Sequence, residues 1–220
     1  MSASAVLLAG ATGLVGRELL SLLLADPATA VVHALTRRPQ PLSAQPRQLH
    51  WHEVDFSALP ALPVAHLALC ALGTTIARAG SQAAFRAVDH DAVLAFAHAA
   101  RRAGATRFGV VSALGANPAS ATFYNRVKGE MEAAVATLGF DSVVIARPSL
   151  LVGDRAALGQ PRRRGEQIVL RLAVPLRGLI PATWRPIDAA TVARGLCRAM
   201  AQQRPGVQFI ESRALLRLGK

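Results

Sequence analysis

From Val6 to Glu18 the chain runs VLLAGATGLVGRE, a short apolar segment that breaks into three glycines and then turns helical. No other stretch restricts the fold as strongly. A strand, a glycine turn and a helix start in that order are what a dinucleotide pyrophosphate requires. Gly10 permits the tight exit from the strand, Gly13 keeps a Cβ out of the path of the phosphates, and Gly16 lets the helix lie close to the sheet. The helix that opens near Leu14 offers unpaired N–H groups and the positive end of its dipole to an anion. Thr12, Leu14 and Val15 therefore join the three glycines as candidate phosphate-binding positions. The spacing is G-x-x-G-x-x-G and not the generic G-x-G-x-x-G, so the fingerprint fits in its mechanics alone, and glycine turns also serve plain packing.

Beyond this opening the first half alternates strand and helix patterns. Strand-like runs cover 5–9, 31–35, 48–54, 66–72, 107–112 and 142–146. Helical patterns cover 14–25, 81–103 with Gly104 as the stop, and 120–138 with Gly139 as the stop. Repeated units of this length imply parallel strands joined by right-handed crossovers. The fold class expected is α/β: a Rossmann-like, doubly wound, mostly parallel sheet with helices on both faces. A composition 52% hydrophobic but only 5% aromatic gives a core of Ala, Val and Leu, which suits such a sheet. The 220 residues fit one domain, 1–220. After Arg147-Pro148 the pattern changes. Residues 149–187 are irregular, with one helical segment at 167–174, and are expected to cover a substrate pocket. A helix at 188–202, a strand at 207–210 and a helical turn from Arg213 close the chain.

The net charge of +12 does not point to nucleic acid. Only Lys128 and Lys220 are lysines, so the arginine excess reads as a compositional bias, with local density at Arg37-Arg38, Arg101-Arg102 and Arg162-Arg163-Arg164. There is no basic stripe and no interleaved aromatic residue, so the expectation is a solvated basic surface with weak, salt-sensitive binding and no specific nucleic acid. The apolar stretch 5–25 is interrupted by the glycine turn, Arg17 and Glu18, so no membrane span is expected. It also lacks a basic leader and a cleavage site. Cys70 and Cys197 suit reduced thiols, and a cytoplasmic protein is expected. His50 and His52 share a strand face at a spacing a metal could use, but no third ligand is evident, and no metal is expected.

Tyr124 and Lys128 stand four apart on a predicted helix, one turn apart on one face. Ser112 ends the preceding buried strand, at the edge where open α/β sheets bind ligands. A phenol titrates near pH ~10 in water. A neighbouring ammonium favours the phenolate and brings proton transfer within reach of neutrality. The serine hydroxyl can hold a substrate oxygen in line, and the lysine can bind ribose hydroxyls. Y-x-x-x-K also arises by chance on helix surfaces, but a chain that uses arginine almost everywhere keeps a lysine here. A guanidinium cannot replace a compact ammonium in that position.

These residues, with GATGLVG at 10–16, CALGTT at 70–75, FRAVDHD at 85–91, VVSALGA at 110–116, FYNRVKGEMEA at 123–133, RPSLLVGDR at 147–155 and RRGE at 163–166, span nearly the whole chain. The chain resembles a short-chain dehydrogenase/reductase of the atypical branch, and most closely the Tat-interacting-protein family of NADPH-binding oxidoreductase-like proteins. The resemblance implies a Rossmann sheet with a small C-terminal substrate region and Ser112, Tyr124 and Lys128 as catalytic residues. It also implies that Pro148 begins the segment packing on the nicotinamide. Many classical members carry an asparagine in the helix before the catalytic strand, where it supports a proton relay. Here that stretch reads Val88-Asp89-His90-Asp91. Asp89 in that place either orders the Ser112 loop or caps a helix.

An NAD-selective site places a carboxylate at the end of the second strand. Here that point reads Thr36-Arg37-Arg38, and two guanidiniums suit a 2′-phosphate, so NADP(H) is the expected cofactor. Asp55 after the third strand is expected to accept from the adenine amino group, and Gly73 and Thr74 after the fourth to line the adenine side. Arg162 to Arg164 suit an anionic substrate or a plain surface loop. The expected function is hydride transfer from NADPH to a small carbonyl substrate. The alternatives are an NADP(H)-binding regulatory or scaffolding protein with weak activity, and an epimerase or dehydratase, which usually needs a larger C-terminal region. A monomer and a homodimer are both compatible with the helix patterns.

Overall fold

Strand β1 (Ser4–Ala9) lies inside a seven-stranded sheet, third from one edge. Val6 and Leu8 turn to one face, toward Val15, Leu19 and Leu196, while Leu7 and Ala9 turn to the other, toward Phe96, Phe108 and Met131. Both faces are therefore apolar, and a strand apolar on both sides must be covered on both sides. The computed structural model describes residues 4–38, 40, 46–152 and 185–220.

The glycine turn leads from β1 into α1 (Leu14–Ala25), followed by β2 (Thr29–Thr36), β3 (Leu49–Glu53) and β4 (Leu67–Cys70). Two short helices, α2 (Ile76–Ala79) and α3 (Gln82–Arg86), precede α4 (Ala92–Arg102). Then come β5 (Arg107–Val111), α5 (Phe123–Ala136), β6 (Ser142–Arg147) and β7 (Leu151–Val152). The chain closes with β8 (Ile187–Asp188), α6 (Ala189–Ala201), β9 (Gly206–Glu211) and α7 (Ser212–Leu218). The order across the sheet is β3-β2-β1-β4-β5-β6-β9, and every pairing is parallel. β7 and β8 form a separate parallel pair. The α/β, doubly wound, Rossmann-like expectation holds.

The predicted helix over 81–103 is in fact interrupted. Between α3 and α4, Ala87–Asp91 form a π-helical turn, which holds Asp89 buried. Such turns insert an extra residue into a helix and recur at functional sites. Gly104 and Gly139 end their helices with φ of +91° and +75°, as read from the sequence. The predicted helix at 167–174, the Arg162–Arg164 cluster, the RRGE segment and most of the proposed 149–187 cover lie outside the described residues.

Candidate cofactor and catalytic site

The sheet order reverses between β1 and β4, because β2 and β3 lie on one side of β1 and the later strands on the other. In open α/β sheets the crevice at the carboxyl ends of such strands is where ligands bind. Gly10 leaves β1 there with φ +83°, and a Cβ on it would lie 2.5 Å from the carbonyl carbon of Ala71, just past β4. Only glycine accepts both that φ and that neighbour. Gly13 is different: its nearest atom is the Gly10 oxygen at 3.3 Å, so packing alone does not demand glycine there. Gly13 precedes the first helical residue of α1, and neither a side-chain cap nor an acidic residue occupies that helix start. Thr12 is exposed beside it, Leu14 is half-buried, and the Val15 side chain is in the core, leaving its backbone for a ligand. A backbone cradle at an uncapped helix N-terminus fits a pyrophosphate.

Arg37 and Arg38 are exposed on the turn after β2. Thr36 shapes that turn: its hydroxyl donates to the Arg38 carbonyl at 3.0 Å and accepts from the Arg38 N–H at 3.3 Å. Among the described residues neither guanidinium forms a salt bridge. Asp55 is exposed after β3, and hydrogen bonds from Ser57 hold its carboxyl below the usual value.

The catalytic candidates collect at the same end of the sheet. Tyr124 and Lys128 lie on α5, where the Lys128 ammonium is almost completely buried. Its Nζ is 2.7 Å from Asp89 Oδ1. Asp89 Oδ2 accepts the Thr74 N–H at 2.8 Å. A Cβ on Gly73 would lie 3.4 Å from Asp89 Oδ1 and 3.9 Å from Lys128 Nζ. Gly73 and Thr74 thus stand against a buried pair of Lys128 and Asp89, a pairing that the sequence reading did not contain. Burial pulls the Lys128 pKa down, but the Asp89 carboxylate, the proximity of Tyr124 and the hydrogen bond to Asp89 together hold it above its usual value.

The Tyr124 ring packs on Phe85 with centroids 5.2 Å apart. Ser112 follows β5 directly, and its N–H donates to the Ala146 carbonyl at 2.7 Å, which fixes it at the strand end. Its hydroxyl is buried without a hydrogen-bond partner among the described residues. Buried hydroxyls are rarely left so, and a substrate oxygen is the kind of partner this one lacks. Pro148 follows β6, buried, and its carbonyl accepts the Leu114 N–H at 2.9 Å. Gly129 escaped the sequence reading. A Cβ there would lie 2.2 Å from the Asn117 carbonyl carbon, so the loop after Ser112 rests directly on α5.

The histidine pair gains a neighbour in the structure. His33 on β2 stands opposite His50 in the sheet register, and its Nδ1 is 3.0 Å from His52 Nε2. Burial, then the neighbouring histidines, lowers the pKa of both His33 and His52. Among the described residues no group of three His, Cys, Asp or Glu is arranged to hold a metal ion. Nor is any described helix long and apolar enough to cross a membrane.

Sheet order, glycine turn and helix start define a Rossmann-type nucleotide-binding protein. The chain belongs to the NAD(P)H-binding family, whose model matches residues 10–168. It is 32% identical over 229 aligned residues to Protein HTATIP2 of Rattus norvegicus, covering all of this chain and 91% of the relative. It is 40% identical over 158 residues to Protein fmp52, mitochondrial, of Emericella nidulans, covering 68% of each. Among solved structures, MoeE5 in complex with UDP-glucuronic acid and NAD superposes with a TM-score of 0.71 at 20% identity, over 94% of this chain and 76% of that one. At that identity the likeness concerns the fold. The expectation of a cytoplasmic protein is overturned here, because relatives from several fungi are named as mitochondrial proteins.

Proposed function

We propose that the protein is an NADP(H)-dependent oxidoreductase of the short-chain dehydrogenase type that reduces a small carbonyl substrate. One observation carries this reading. The buried Ser112 hydroxyl, without a hydrogen-bond partner among the described residues, and the Tyr124–Lys128 helix occupy the same end of the sheet as the Gly10–Gly13 cradle. The cradle and the start of α1 suit the pyrophosphate, and Arg37 and Arg38 suit a 2′-phosphate. An ammonium carries three N–H donors, so beside its contact with Asp89 Lys128 can also serve ribose hydroxyls. Pro148 stands on the nicotinamide side, and Asp55 on the adenine side.

NADPH, when bound, supplies the hydride that reduces the carbonyl carbon. The Ser112 hydroxyl donates a hydrogen bond to the carbonyl oxygen and orients it. Tyr124 gives its phenolic proton to that oxygen, and the Lys128 ammonium stabilises the phenolate left behind.

The test is a titration with NADPH and with NADH, followed by ligand fluorescence, in the wild type and in Arg37→Ala/Arg38→Ala. Charge-assisted hydrogen bonds contribute about 1.5–3 kcal/mol, so NADPH affinity should fall by one to two orders of magnitude while NADH affinity hardly moves. Carbonyl-dependent NADPH consumption should then vanish in Tyr124→Phe. A second reading, an NADP(H)-binding regulatory or scaffolding protein, draws support from the Asp89 carboxylate beside Lys128. Binding without turnover on any carbonyl would select it. Failure to bind either nucleotide would sink both.

A further inference from the structure

We propose that Asp89 sets the ionisation of Tyr124 by acting through Lys128, and that it holds the site in the proton-donating state suited to reducing a carbonyl and not to oxidising an alcohol. The first half stands on the geometry of this chain alone. The second rests on the oxidoreductase reading.

Asp89 is not a mobile surface carboxylate. It is 1% exposed, its Oδ1 is 2.7 Å from the Lys128 ammonium, and its Oδ2 is tied to the Thr74 N–H. The π-helical turn Ala87–Asp91 holds it there, at a break in what the sequence reads as one helix. Three elements meet at this carboxylate: the loop after β4, the π turn and α5. One oxygen lies against the ammonium and the other accepts the Thr74 N–H, which seats it beside the lysine, and two charges this deeply buried are poorly screened.

An unpaired ammonium one helical turn from a phenol favours the phenolate, commonly by one to three pKa units (about 1–3). A carboxylate in contact with that ammonium opposes part of its field, so the phenolate is stabilised less than by the ammonium alone. The neutral phenol is the form that can give a proton away. A phenolate is the form that takes a proton from an alcohol.

Among the described residues, the other groups around the cluster do not supply a replacement charge. The Cys70 thiol at the end of β4 is pushed by burial to about 12 and is neutral at working pH. Arg86 of α3 and Glu130 of α5 form their own ion pair. His90 contacts Asp91 at 2.7 Å, and the Asp91 side chain is mostly exposed. Arg126 donates to the Ser120 carbonyl at 3.0 Å, and Phe85 packs an uncharged ring on the phenol.

Tyr124 is the only tyrosine in the chain, so its titration can be read directly from the ultraviolet tyrosinate band, with no cofactor or substrate present. The full chain is titrated as wild type, Asp89→Asn, Asp89→Glu and Lys128→Met, with circular dichroism confirming the fold across the range. The Asp89→Asn midpoint should fall by about one pH unit or more, Asp89→Glu should return toward the wild type, and Lys128→Met should rise. Asp89→Ala serves as the charge-removing variant if Asp89→Asn does not fold. A midpoint unchanged or raised when the charge is removed overturns the proposal, since a purely structural role predicts no downward shift. Where turnover is found, the alkaline limb of the reductive pH profile should move down with the spectroscopic midpoint; a limb that stays put removes the catalytic half. Failure of NADPH binding leaves the titration result intact, so the two readings fail separately.

Discussion

A Cβ on Gly16 would lie 1.9 Å from the carbonyl oxygen of Gly10, so the first turn of α1 rests directly on the turn that leaves β1. Backbone, not a flexible side chain, is the obstacle, and either the helix or the turn must shift to admit a methyl group. Gly16→Ala should therefore cost about 3 kcal/mol or more, the upper end for overpacking. Gly13→Ala meets the same oxygen at 3.3 Å and should cost under about 1 kcal/mol. In the proposed cradle its methyl group would meet the phosphates, so NADPH affinity should fall by roughly tenfold or more. Denaturant unfolding and nucleotide titration on both variants check this; equal losses of stability would refute the division of roles.

Glu132 of α5 and Arg147 at the end of β6 fasten the helix that carries Tyr124 and Lys128 to the sheet. Arg147 Nη2 and Nε donate to the carboxylate at 2.5 and 3.0 Å, Glu132 is almost fully buried, and the guanidinium lies 4.4 Å from the Phe209 ring centre. Arg147→Ala leaves a buried carboxylate without its partner and should cost about 3–5 kcal/mol. The apolar pair Glu132→Leu/Arg147→Met should lose less than the single variant, because no charge is stranded. Chemical denaturation of the three proteins decides it. A double variant weaker than Arg147→Ala would show that the pair contributes more than the removal of its own desolvation penalty.

What the sequence revealed follows the range of the forces involved. The glycine turn, the Tyr124–Lys128 spacing and the stops at Gly104 and Gly139 are local, fixed by backbone dihedrals and helix period. The π turn was hidden because 87–91 carries no residue that breaks a helix. Asp89 was singled out, but its pairing with Lys128 and Thr74 depends on how three elements cross. His33 was missed for the same reason: its place beside His50 and His52 follows from which strand neighbours β3. Gly129 reads as a plain helical glycine until the loop at Asn117 is seen against it.

Both cysteines should be slow to react while the chain is folded. Burial pushes the Cys70 thiol to about 12, and burial, then the Asp26 charge, pushes Cys197 to about 11. The thiolate is the reactive form, so little of either is available at neutral pH. Alkylation followed by mass spectrometry should modify Cys197, the less buried of the two, ahead of Cys70. Rapid labelling of Cys70 in the native protein would show that the end of β4, beside Lys128, opens far more often than its packing implies.

Asp188 caps α6 and gives a stability term with a defined pH window. Its Oδ1 accepts the Thr191 N–H at 2.7 Å and its Oδ2 the Thr191 hydroxyl at 2.6 Å. Burial alone raises the carboxyl pKa, but the Thr191 bonds and the Arg194 charge outweigh it and leave it below the usual value. A lowered folded value means the carboxylate stabilises the fold above its unfolded pKa of about 3.9, and that this contribution is lost as pH falls through the folded value. Asp188→Ala should thus cost about 1 kcal/mol near neutrality, with the gap to wild type narrowing below about pH 4. Asp188→Asn keeps a cap oxygen but not the charge, so it should lie between the two at neutral pH and converge on wild type in acid. Urea unfolding across that range is the measurement. A gap that stays constant from neutrality into acid would mean that the cap acts by geometry and that the carboxylate charge adds nothing.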